Sequence, residues 1–130
     1  MIARIERFED VEGWKKGRVL AGEIYRVTSS GEFSRDFGLR DQVRRAAVSI
    51  PSNIAEGFER GGDREFRQFL AHAKGSTGEL KTHLYIALDL GFIGRERFDH
   101  LYGQASEIGR ILGGLMKYLS QSNLRGRKYR

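Results

Sequence analysis

Cysteine is absent from the 130 residues, which excludes disulfides and thiolate metal sites and fits a reducing cytosol. Long hydrophobic runs are also missing. No segment approaches the ~20 apolar residues of a membrane span, and the opening M-I-A-R-I-E-R-F-E-D has no apolar core of signal-peptide length. The expectation is a soluble, cytoplasmic protein. The chain has three histidines, no G-x-S-x-G, and no Walker spacing in the glycines between Gly57 and Gly62. A Ser–His pairing could be drawn between Ser49 or Ser76 and His72 or His83, but small hydroxyl residues on helices far more often serve packing. The reading is therefore of a protein that is not an enzyme, with no catalytic residue and no cofactor. Proline occurs once, at Pro51.

Charge is present in quantity, and its position matters more than its sum. The net charge is +6, yet Arg125, Arg127, Lys128 and Arg130 supply four positive charges in the last seven residues, leaving +2 over residues 1–123. This divides the chain into one domain, 1–123, and a basic, flexible tail, 124–130. Such a tail binds phosphate through counterion release; a solvated terminus is the bland alternative.

The body reads as helix throughout. Trp14, Gly17, Ala21, Tyr25 and Thr28 recur at spacings of three and four, which predicts a first helix over Phe8–Ser29, with Gly31 as a left-handed cap. Glu32–Gly38 reads as a connector whose Phe33 and Phe37 pin it over the end of the core. A second helix over Leu39–Arg60 buries Val43, Ala47, Ile50, Ile54 and Phe58. Asp63 is the expected N-cap of a third, Arg64–Leu90, whose stripe runs Phe66, Phe69, Leu70, Ala73, Thr77, Leu80, Leu84, Ala87, Leu88. Gly91 ends it, and a fourth covers Arg95–Gln121. The predicted fold is all-α, an antiparallel up-down four-helix bundle.

The stretch Ser49–Gly57, S-I-P-S-N-I-A-E-G, breaks the usual rule that helix interiors avoid proline, which costs ~3 kcal/mol or more there. Because the apolar period keeps its phase across Pro51, the expectation is a second helix kinked but continuous at Pro51, with a broken helix as the alternative. Ser49, Asn53 and Glu56 lie on one face of it. If that face meets His72, Ser76 and Glu79 of the third helix, the six form a structural polar seam whose groups satisfy one another. A metal site is the sharper reading of His72, Glu79, His83 and Glu56. A di-iron bundle, however, requires Glu-x-x-His pairs and more inward carboxylates, and this chain has neither. No metal is expected.

Two further patterns lie on the third helix. Ala71, Gly75, Gly78 and Thr82 make a small-residue face that a solvent-exposed helix would not favour, since each glycine costs about 1 kcal/mol relative to alanine. We read it as a packing face for self-association. Arg67, Lys74 and Lys81 follow at seven-residue intervals and make one basic edge. Such a row is ordinarily a solvated flank, but repetition of it around an oligomer would make a nucleic-acid-binding surface.

The segments F-E-D-V-E-G-W-K-K (Phe8–Lys16), D-Q-V-R-R-A-A-V-S-I-P-S-N-I-A-E-G (Asp41–Gly57) and E-F-R-Q-F-L-A-H-A-K-G-S-T-G-E-L (Glu65–Leu80) together resemble the 23S rRNA intervening-sequence protein family. The resemblance implies a four-helix bundle assembled as a homopentamer. It also implies similarity to the accessory proteins of diversity-generating retroelements, whose basic surfaces bind nucleic acid and a reverse transcriptase. Gly17, Gly22 and Arg40 depart from the family pattern. The expected partners are therefore further copies of this chain and RNA, DNA or a nucleic-acid-associated protein. The expected contact residues are Arg67, Lys74, Lys81, Arg125, Arg127, Lys128 and Arg130, and a protein-interaction scaffold without nucleic acid is the alternative.

Overall fold

The computed structural model describes residues 5–121. A 3-10 turn, Phe8–Asp10, precedes five α-helices: α1 (Glu12–Val27), α2 (Gly31–Arg35), α3 (Phe37–Glu59), α4 (Asp63–Asp89) and α5 (Arg95–Gln121). The described residues contain no strand, and none of their helices is long and apolar enough to cross a membrane.

Helix α1 starts four residues later than its periodicity predicts. The Asp10 carboxylate accepts the backbone N–H groups of Glu6 (3.1 Å) and Arg7 (3.2 Å). These donors hold its carboxyl below the ordinary aspartate range. The local alternative to helical bonding leaves Val11 extended and buried just before α1. At the other end, Arg44 of α3 closes α1: its Nε donates to Thr28 Oγ1 (2.8 Å) and its guanidinium lies 4.4 Å from the centre of the Tyr25 ring. A cation at a helix C-terminus faces the negative end of the helix dipole.

The expected connector contains α2. Phe33 is buried and packs on Phe92 at 5.4 Å, so it does pin this segment to the core. Phe37 does not. It is 64% exposed and opens α3, beneath the Arg40 guanidinium. The Asp36 side chain accepts the N–H of Leu39 at 3.0 Å, which lets α3 begin two residues before the predicted Leu39.

Helix α3 runs without interruption through Pro51, so the broken-helix alternative is excluded. Its buried residues include all five expected on its core face. Gly61 (φ 89°) makes the turn into α4. Here the structure departs from the expected cap: Gly62 stands at the N-cap, and Asp63 is the first helical residue. The end of α4 is a Schellman turn. Gly91 (φ 77°) donates to Leu88 O at 3.0 Å and Phe92 to Ala87 O at 2.9 Å, a backbone shape glycine adopts without strain.

The core lies among the four long helices. α1 packs on α3 and α5, and α4 packs on the same two helices from the other side. Glycines set how closely the backbones approach. A Cβ on Gly57 would fall 2.5 Å from Phe69 Cβ, so α3 and α4 touch there almost backbone to backbone. A Cβ on Gly17 would meet Ile50 Cγ2 at 3.1 Å and Pro51 Cδ at 3.2 Å. The proline ring thus sits against a turn of α1 where Gly17 has no side chain to displace it. Gly13, one turn earlier, is packed against Leu112 and Ile54 in the same way.

Candidate functional site

The face of α3 that carries Ser49 meets α4 at a short polar contact. Ser49 Oγ and Ser76 Oγ are 2.7 Å apart, Asn53 Nδ2 donates to Ser49 O (2.8 Å) and Ser49 Oγ (2.9 Å), and Ser76 Oγ reaches His72 O at 3.2 Å. The structure brings Ser49, Asn53 and Ser76 together by side chain, and His72 only through its backbone carbonyl. The remaining seam residues stand apart. Glu56 is exposed and bonds Arg60 one turn on, at 2.9 Å. Glu79 is exposed and lines an open groove of about 680 Å³ with Arg44, Arg45, Asp41 and Tyr25. His83 is only 7% exposed, and its Nδ1 has no partner among the described residues. Nowhere among those residues do three His, Cys, Asp or Glu side chains gather in a way that would hold a metal ion.

The basic row takes a different position. Lys74 reaches across to α5, where a Cβ on Gly113 would lie 3.4 Å from its Cε. The Lys81 ammonium lies 5.0 Å from the centre of the Tyr102 ring. Arg67 is half-buried where the first turns of α4 face the last turns of α5. It lines a groove of about 590 Å³ with Arg64, Gln68, Met116, Lys117 and Ser120. The row therefore follows the α4–α5 seam rather than the outer surface of α4. No carboxylate lies within 4 Å of Arg64, Arg67, Lys74, Lys81 or Lys117 among the described residues. Arg67 Nε is buried without an acceptor, which at a typical desolvation cost of about 1–3 kcal/mol marks a donor left unused by the fold.

Aromatic rings close the far end of this seam. Tyr85, Phe98 and Tyr102 form a three-ring cluster with centroids 4.9–5.5 Å apart, and Tyr85 remains 48% exposed. A hydrogen bond with Tyr102 raises the Tyr85 phenol above its ordinary range. Lys117 and the tyrosines were not identifiable from periodicity alone, because that signal gives each helix a face but not the register between two helices. Arg125, Arg127, Lys128 and Arg130 lie outside the described residues.

No neighbour among the described residues covers the two glycines on the small-residue face of α4. Ala71, Gly75, Gly78 and Thr82 are exposed, and a Cβ at either glycine would meet no atom within 4 Å. Ile86 (41% exposed) and Leu90 (54% exposed) extend this uncharged surface toward the end of the helix. A second open surface lies between α1 and α3, a groove of about 420 Å³ whose lining includes Phe8, Trp14, Ala21, Val48 and Pro51.

The described residues thus make an all-α protein with a proline held inside α3 and an open basic seam between α4 and α5. Residues 9–114 match the family of 23S rRNA-intervening sequence proteins, and the chain belongs to that family. A crystal structure from Bacteroides thetaiotaomicron, described as a protein of unknown function from the S23 ribosomal protein family, is similar in fold. Its TM-score is 0.74 at 22% identity, over 81% of this chain and 98% of that one. No curated protein matches the chain.

Proposed function

We propose that this protein is a non-enzymatic, self-associating four-helix bundle of the cytoplasm that binds nucleic acid along the α4–α5 seam. The observation that carries the reading is the row Arg67, Lys74 and Lys81, which follows a helix junction with no carboxylate within 4 Å among the described residues. Cations without a carboxylate partner among the described residues keep their charge for a phosphate backbone, and the exposed Tyr85 beside them offers a ring face for a base.

The bundle itself is read as up-down and antiparallel. Gly17 meets Pro51 while Thr28 meets Arg44; Gly57 meets Phe69 while Ser49 meets Ser76. Early residues of one helix thus lie beside late residues of the next. The ring of Pro51 lodged on Gly17 supports a bend of α3 at that point. Self-association rests on the unpartnered small-residue face of α4, and the family resemblance makes a pentamer the expected assembly. Repetition around a ring multiplies a basic edge that one subunit presents only weakly.

Titration of single-stranded and duplex RNA and DNA against the full chain at ~50 mM salt tests the reading, because phosphate binding is strongest there. Affinity that falls steeply as salt rises supports it; no affinity at low salt overturns it. The apolar α1–α3 groove favours a second reading, a scaffold that binds another polypeptide. Partners captured from the native host that survive nuclease treatment would favour that one.

A further inference from the structure

We infer that Arg64, Arg67 and Lys117 form a discrete binding site for a phosphate group at the end of the α4–α5 groove. The inference rests on the nucleic-acid reading for its physiological ligand, but the site stands on its own geometry. Three cations from two helices line one concave surface of about 590 Å³, and the other lining residues, Gln68, Met116 and Ser120, are uncharged. Among the described residues no carboxylate lies within 4 Å of these like charges, so nothing there offsets their mutual repulsion. An oxyanion between them removes the repulsion.

The side chains also suit that ligand. Arg67 is half-buried, so its stem is held and its guanidinium loses little freedom on binding. Among the described residues its Nε lacks an acceptor. A guanidinium offers paired donors matching two phosphate oxygens, while Lys117 supplies a point charge and Gln68 a neutral donor beside it. Lys74 and Lys81 continue from the site along the seam at about 10 Å per seven helical residues. A chain of phosphates held at Arg67 is thereby led toward the Tyr85–Tyr102 rings.

The probe is inorganic tripolyphosphate titrated against the full chain, with a single-stranded RNA measured in parallel. Tripolyphosphate is expected to shift backbone resonances of residues 64–68 and 116–120 before any others. The double variant Arg67→Gln, Lys117→Gln should weaken its binding tenfold or more, and Lys15→Gln, on α1, should leave it within twofold. Arg67→Lys retains the charge but loses the paired donors, and should fall between wild type and the double variant. For RNA, removing two phosphate contacts should reduce the slope of log affinity against log salt by about 1.4. If RNA binding persists with its slope unchanged in a folded double variant, the site is refuted and the nucleic-acid reading stands. Tripolyphosphate binding that the variant abolishes, with no RNA affinity, upholds the site and removes that reading. Shifts scattered over the surface, or no binding of either probe, overturn the site.

Discussion

Single glycines in this chain have opposite roles that their helix propensities do not distinguish. Gly57 exists because Phe69 Cβ is in the way: that atom is fixed to the backbone and cannot rotate aside. Gly57→Ala should therefore destabilise the fold by about 1–3 kcal/mol, the usual cost of overpacking, despite alanine's better helix propensity. Gly75, with nothing within 4 Å of an added methyl group, should behave in the opposite way. In a dissociated subunit, Gly75→Ala should raise stability by up to about 1 kcal/mol. In the assembly proposed above it should weaken association. Denaturant midpoints for both variants, with sedimentation of the second over a range of concentrations, check the pair. An unchanged assembly mass would place the small-residue face outside any subunit interface.

At the scale of elements, α1 depends on α3 for its ending. Arg44 supplies a charged donor to Thr28, whose own hydroxyl donates to Ile24 O at 2.7 Å, and it stacks on Tyr25 from the same position. Arg44→Ala should cost about 1–2 kcal/mol, in line with a charge-assisted hydrogen bond partly open to water. It should fray the last turn of α1 first, visible as increased hydrogen exchange at Ile24–Thr28. The helices that carry it were largely legible in the sequence, because a 3.6-residue apolar period survives wherever one face is buried, as at Val43–Ala47–Ile50–Ile54. The helix boundaries were less so. Asp10 and Asp36 both bond backbone N–H groups nearby, and only their place in the fold decides that one delays a helix while the other advances one. The basic edge was visible as a seven-residue row. Its position against α5, and so Lys117, depends on a register between helices that no single-helix pattern contains.

At the scale of the whole molecule, the order of packing follows the order of the chain. α3 rests on α4, and α4 on α5, across short turns, while α1 and α5 join opposite ends of the sequence and do so less extensively. The α1–α5 junction is also more polar than the core. Glu23 binds His100 at 2.9 Å and Gln104 at 3.0 Å, and Lys16 lies 3.6 Å from Glu107. The last of these is a partly solvated ion pair, of a kind that contributes about 0–1 kcal/mol.

The close approach at Gly57 has a kinetic consequence. A pair of helices joined by a short turn and packed nearly backbone to backbone incurs little loop-closure entropy, so α3 and α4 are the natural first pair to form. Their central amides, around Ala47–Ile54 and Ala73–Leu80, should be the last to exchange with deuterium under native conditions, with α1 opening ahead of them. Should α1 prove as protected as α3 and α4, opening would have to be global. If the expected order holds, this protein has a two-helix nucleus built on a missing side chain, and α1 is its latch.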